Sequence, residues 1–184
     1  KSYDIIIPLA GLVGAPICNK YPIDAEEINL KSNIKLINKL SDDQIIIMPT
    51  TNSAYGKGDK NNYCDEDTRL NPISTYAKHK VEVENELRKK NNFISFRLAT
   101  VFGASPRMRL DLLVNDFTYR AVKDGYILLY ESHFKRNYIH IRDVCEAMMM
   151  TLDNFENFNG ETFNLGLSDA NLSKLELCNK IKDH

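Results

Sequence analysis

The chain has 184 residues, 43% of them apolar and 27% charged, with a net charge of -1. That length and apolar content suit a globular core and exclude a disordered chain. Acidic and basic residues are interspersed, which excludes a basic stripe for nucleic acid and a polybasic membrane patch, though not a local basic pocket for a phosphate.

The first segment, Tyr3 to Ala10, is a β-branched apolar run ending in small residues, and it reads as a buried strand. Gly11 and Gly14 punctuate the loop after it. Ile28, Ile34, Ile37 and Leu40 then recur at helical spacing, predicting a helix over 24–40 with Asp24 as N-cap. Gln44 to Met48 is a second buried strand. The segment from Pro49 to Leu70 is rich in Thr, Ser, Asn, Gly and Asp, and predicts a long functional loop. A charged helix is predicted over 74–90 and a third buried strand over Phe93–Leu98. This alternation predicts a parallel sheet covered by helices, an α/β fold of Rossmann type.

After Leu98 the rhythm changes. A Gly-Ala-Ser-Pro-Arg loop leads to a helix over 111–124, strands over 126–130 and 137–140, a helix over 141–155, a strand at Phe163–Leu165 and a last helix capped by Ser173. The expected division is therefore a sheet domain over 1–98 and a smaller mixed α/β region over 99–184. Cysteines 18, 64, 145 and 178 form no Cys-x-x-Cys pair and have no ligand-spaced histidine. They predict buried or half-buried thiols in a reducing cytoplasm, with no metal site. No apolar run is long enough to span a bilayer.

Tyr76 and Lys80 lie four apart on the predicted helix, hence on one face and one turn apart. An ammonium beside a phenol favours the phenolate, which can accept a proton from an alcohol near neutral pH. The spacing alone is equally that of a surface pair. Thr51, Asn52 and Ser53 follow the second strand, where ligands bind in open α/β sheets. They can meet a substrate oxygen or simply close an ordinary polar turn. Ala10-Gly11 and Ala99-Thr100 end the other two strands with small residues, which let a flat cofactor ring approach the backbone.

Taken in order, Leu9-Ala10-Gly11, Asn29, Thr51 to Gly56, Tyr76 to Lys80, Arg97 to Gly103, and Arg136 to His140 with Asp143 resemble the extended short-chain dehydrogenase/reductase family. That family holds the NAD-dependent epimerases and dehydratases of nucleotide sugars, and the resemblance runs over nearly the whole chain. It implies that Thr51 hydrogen-bonds the sugar hydroxyl, that Tyr76 is the general base, and that Lys80 lowers its pKa and holds the nicotinamide ribose. It implies that Leu9, Ala10, Gly11, Asn29 and Ala99 lie along NAD. It further implies a nucleotide-diphosphate sugar as substrate, met by Asn52, Ser53, Thr100, Arg107, Asn115 and Arg136. A guanidinium such as that of Arg136 suits phosphate oxygens, although a solvated charge beside Lys135 has the same residue type. Arg107 likewise reads as a substrate contact or as a solvated loop charge.

The resemblance also implies a homodimer through the helices at 24–40 and 74–90. The family's Gly-x-x-Gly-x-x-Gly turn, which lays the pyrophosphate on a helix N-terminus, does not occur in these residues. The sequence opens at what resembles the fourth strand, and the expectation is weak NAD binding by this piece alone. Sugar 4,6-dehydratases of the family carry Asp-Glu after the catalytic threonine. Asn52-Ser53 stands there instead and cannot supply an acid and a base, so dehydration is disfavoured. The remaining chemistry is oxidation at C4, by a 4-dehydrogenase or a 4-epimerase, with an NADPH-dependent 4-keto-sugar reductase or a non-catalytic cofactor-sensing protein as alternatives. The Pro106-Arg107-Met108-Arg109-Leu110-Asp111 run resembles a branch of capsule and lipopolysaccharide sugar pathways, and most closely the 4-dehydrogenases of GDP-linked heptose.

Overall fold

The computed structural model describes residues 3–57 and 63–184. They form two compact units, Lys1–Arg97 with Thr151–Asn164, and Leu98–Met150 with Leu165–His184. The return of 151–164 to the first unit follows from strand pairing, since the strand at its end joins the first sheet.

In the first unit, β1 (Ile5–Ile6) pairs in parallel with β2 (Ile45–Thr51), Ile5 opposite Ile45 and Ile6 opposite Ile46. With β3 (Phe93–Leu98) and β6 (Glu161–Leu165) they make a sheet of order β1-β2-β3-β6. The predicted α/β arrangement is present, and β2 and β3 are buried as expected. β1 is not: Ile5 is exposed and Ile6 half-buried, because β1 stands at the edge of the sheet among the described residues. Two boundaries differ. The first strand shrinks to Ile5–Ile6, and the residues from Ile7 onward form a loop. The second runs three residues past its predicted end, through Pro49. A proline lacks the N–H that a ladder needs, but β1 pairs only as far as Ile46, so that neighbour asks nothing of Pro49.

The predicted helix over 24–40 is longer and interrupted. It comprises α1 (Ala15–Lys20), α2 (Pro22–Glu26), a π-helical turn (Glu27–Lys31) and α3 (Ser32–Lys39). Tyr21 separates the first two at φ -128° and ψ 68°, because a residue before proline is pushed out of the helical region. Asp24 consequently sits inside α2 and caps nothing. The charged helix is α4 (Thr75–Leu87), and Ser74 caps it by accepting the Ala77 N–H at 3.2 Å. Ile37, Ile46, Met48, Val83, Leu87 and Phe93 form the core where α3 and α4 meet the sheet. Each such side chain contributes about 1.5–3 kcal/mol by leaving water.

The second unit holds β4 (Thr100–Phe102), β5 (Lys135–His140) and β7 (Asn171–Ser173), with β4 parallel and β7 antiparallel to β5. Around them lie α5 (Leu113–Asp124), α6 (Ile141–Asp153) and α8 (Lys174–Lys182); the short α7 (Phe155–Phe158) precedes β6. Phe117, Tyr138 and Leu177 centre its core. Ser173 caps α8 as expected, in a reciprocal capping box with Glu176. Residues 126–130 form no strand. Their alternation is real, with Ile127 and Leu129 against the core and Tyr126, Leu128 and Tyr130 exposed, but no neighbouring strand takes up their backbone. Cys18 is buried, Cys64 and Cys178 are half-buried, and Cys145 is exposed against expectation. Among the described residues no helix is long and apolar enough to cross a membrane, and no cluster of His, Cys, Asp and Glu could hold a metal.

Candidate active site

The C-terminal end of β2 is where the candidate catalytic residues gather in the first unit. Thr51 closes the strand, is buried, and caps the 3-10 turn Asn52–Tyr55 by accepting the Ser53 N–H at 3.2 Å. Within that turn Asn52 is half-buried and Ser53 exposed. The turn ends at Gly56, at φ 76°, where a Cβ would overlap the Asn71 carbonyl oxygen, so glycine is required there.

α4 packs on β2 and on this turn. Its first turns carry Tyr76, half-buried, and Lys80, buried at 7% exposure. The Lys80 ammonium donates to the Pro49 carbonyl at 3.1 Å, two residues before Thr51. Burial lowers its pKa below the ordinary lysine value. The helix spacing thus places Tyr76 one turn from a desolvated cation fixed on the strand end that bears Thr51.

Leu9, Ala10 and Gly11 stand exposed in the loop after β1. Asn29 lies in the π-helical turn at 1% exposure, and its amide grips that loop twice. The Leu12 N–H reaches its Oδ1 at 2.9 Å, and its Nδ2 donates to the Leu12 carbonyl at 2.8 Å. A side chain on Gly11 would press on the same Oδ1. Asn29 therefore shapes the backbone at the end of β1.

In the second unit, Ala99 is buried and donates its N–H to the Leu165 carbonyl, and Thr100 opens β4. Asn115 is buried on α5, where its amide accepts the Gly103 N–H at 3.2 Å and donates to the Arg109 carbonyl at 3.0 Å. It fixes both ends of the loop that carries Arg107, itself exposed. Arg136 is exposed on β5, opposite Leu172 of β7.

Sequence reasoning missed a buried ionic network in the first unit. Arg97, at 2% exposure in β3, meets Glu84 of α4, at 1%, in a two-pronged pair: Nε to Oε2 at 3.1 Å and Nη2 to Oε1 at 2.6 Å. Its Nη1 donates to the Tyr55 hydroxyl at 2.7 Å and to the Glu66 carbonyl at 3.0 Å. Burial opposes the guanidinium charge, but the bonds to Glu84 and Tyr55 outweigh it and raise the pKa above its ordinary value. Burial also pushes the Tyr55 phenol up, against the lowering bonds from Arg97 and Asn164. The available signal was an arginine inside the apolar run Phe-Ile-Ser-Phe-Arg-Leu, since a buried charge must find a partner.

The chain is similar to known proteins in sequence and in fold. An uncharacterized protein of Schizosaccharomyces pombe is 26% identical over 190 residues, covering 88% of this chain and 50% of that protein. The chain thus spans about half the length of that curated relative. The UDP-glucose 4-epimerase of Thermotoga maritima, solved with UDP-glucose, superimposes with TM-score 0.84 at 23% identity, covering 98% of this chain and 60% of that one. The UDP-glucuronic acid 4-epimerase of Bacillus cereus, solved with UDP-glucuronic acid and NAD, gives TM-score 0.83 at 21% identity, covering 98% and 59%. These likenesses establish the fold. The family model described as the NAD dependent epimerase/dehydratase family matches residues 1–166, and the chain belongs to that family.

Proposed function

We propose that this chain carries the catalytic residues of an NAD-dependent oxidoreductase that oxidises C4 of a nucleotide-activated sugar, as a 4-dehydrogenase or 4-epimerase in surface-polysaccharide sugar biosynthesis. The observation that carries the reading is the tie between Lys80 and Pro49, which sets the ammonium at the strand end bearing Thr51, with Tyr76 on the same helix face. Tyr76, as phenolate, accepts the proton of the C4 hydroxyl as hydride leaves C4. The Thr51 hydroxyl orients that group, and the Lys80 charge stabilises the phenolate. Bound NAD supplies the hydride acceptor. The donor set fits the nicotinamide-ribose end of that cofactor: a desolvated ammonium, a half-buried phenol and the open backbone of Leu9 to Gly11.

Asn115 and Arg136 are assigned to the nucleotide diphosphate, with Arg107 and Thr100 also on the substrate side. Asn52 and Ser53 offer no carboxylate for removing water, which favours simple oxidation over dehydration. The same reading gives a homodimer through the helices at 24–40 and 74–90, where Ile28 stands exposed.

Lys80→Met in the full-length protein tests the reading. The substitution keeps the apolar stem and removes a buried charge, so stability rises by about 1 kcal/mol. Turnover of a nucleotide sugar falls by about 100-fold or more. The sign of the pH effect is fixed by the lowered pKa. The unfolded chain binds the Lys80 proton more tightly, so wild-type stability gains as pH rises through the interval below the ordinary lysine value. The methionine variant loses that gain. Unchanged turnover would remove Lys80 from the mechanism.

A further inference from the structure

We propose that the buried chain of hydrogen bonds through Glu84, Arg97, Tyr55 and Asn164 is the positioning element of the site. It sets the register of α4 against β2 and holds both limbs of the segment after Thr51. The inference rests on the reading of Thr51, Tyr76 and Lys80 as catalytic.

Tyr76, Lys80 and Glu84 follow one another at intervals of four along α4, so they form one stripe. Successive residues of β2 grip successive members of it. The Pro49 carbonyl takes Lys80 at 3.1 Å, and the Thr50 hydroxyl lies 3.3 Å from Glu84 Oε2. Thr50 also reaches the Phe96 carbonyl at 3.1 Å, next to Arg97. Sliding α4 by one residue would break these bonds together and leave the Glu84 carboxylate unpaired in the core. The position of Tyr76 relative to Thr51 is therefore fixed by the Lys80–Pro49 hydrogen bond one turn further along the helix and by the Glu84–Arg97 ion pair two turns further.

Arg97 spends its remaining nitrogen on Tyr55, in the limb leaving Thr51, and on the Glu66 carbonyl, in the limb returning to α4. Asn164 of β6 repeats the arrangement. Its Oδ1 accepts the Tyr55 hydroxyl at 2.7 Å and its Nδ2 donates to the Cys64 carbonyl at 3.2 Å. Its N–H donates to the Glu66 carboxylate at 2.6 Å. Both limbs are thus tied to the same two residues, and Tyr55 is the joint. Asn52 and Ser53 lie in the four-residue turn Asn52–Tyr55 that follows Thr51, so fixing Tyr55 fixes them. A buried ion pair adds little net stability over an apolar core of equal volume. Its advantage here is geometric uniqueness, and small misplacements at a reacting centre cost about 100-fold in rate.

The test uses Tyr55→Phe in the full-length protein. It removes only the joint's hydroxyl and keeps its ring. Amide hydrogen exchange should rise about tenfold in 52–57, while 63–71, still tied to Arg97 and Asn164 through Glu66 and Cys64, and α4 keep their protection. No rise in 52–57, or an equal rise throughout α4, would overturn the clamp. Turnover of a nucleotide sugar should fall about 10- to 100-fold with KM little changed and the melting temperature near wild type. Tyr76→Phe is the companion variant. Normal turnover in Tyr55→Phe beside an inactive Tyr76→Phe rejects the positioning role and leaves the catalytic reading standing. Normal turnover in Tyr76→Phe removes the catalytic reading, and hydrogen exchange then decides the clamp by itself.

Discussion

Tyr76→Phe in the full-length protein lowers turnover by about 100- to 10,000-fold, the usual share of a positioned acid–base group. The change deletes one oxygen and keeps the ring that packs at the start of α4. Lys80 stays on the Pro49 carbonyl, because that bond does not involve the phenol. Nucleotide-sugar binding therefore persists while proton transfer fails, and kcat and kcat/KM fall together. Steady-state kinetics with NAD and a nucleotide sugar checks this. Retained kcat would take the general base away from Tyr76.

Arg97→Ala has the largest expected effect on stability, a loss of about 3–5 kcal/mol, since it leaves the Glu84 carboxylate buried without its main partner. Arg88 also touches Glu84, at 3.3 Å, but its own side chain is half exposed and satisfies the carboxylate from the edge only. Urea denaturation of the full-length protein measures the loss. The double variant Glu84→Leu with Arg97→Met removes both charges and recovers most of it. A single variant as stable as wild type would mean that the pair is not desolvated as the structure has it.

The two effects differ in how far the sequence announces them. The strands are legible where apolar residues run together, as in Ile45 to Met48 and Phe93 to Leu98. The end of β2 is not, because Pro49 reads as a breaker until the shortness of β1 is known. The start of the first helical stretch is hidden for a related reason. Ala15 to Lys20 lacks an apolar period, and the Tyr21-Pro22 step and the π-helical turn shift the helical phase before α3 begins. Residues 126–130 show the converse, an alternation that buries one side without any strand to pair with.

At the site, Tyr76 and Lys80 are legible because their spacing is local to one helix. Glu84 continues the same spacing, yet nothing local says that its partner is thirteen residues on, in another element. The Tyr55–Asn164 bond joins residues 109 apart and can only be seen in the fold. Local periodicity thus exposes the candidate reacting groups, while the buried network beside them is defined by tertiary pairing. The arginine within β3 was the one mark of that pairing in the sequence itself.

The proposed activity is oxidation at C4 of a nucleotide sugar by the Thr51, Tyr76 and Lys80 set. Its most direct test incubates the full-length protein and its Tyr76→Phe variant with NAD and a panel of nucleotide sugars. Absorbance at 340 nm is followed and the recovered sugars are identified by NMR. The expected result is that wild type converts at least one nucleotide sugar at C4 and that the variant does not. Net NADH marks a dehydrogenase, and a C4 epimer without NADH marks an epimerase. No C4-altered sugar from the wild-type protein across the panel, or equal conversion by the variant, would contradict it.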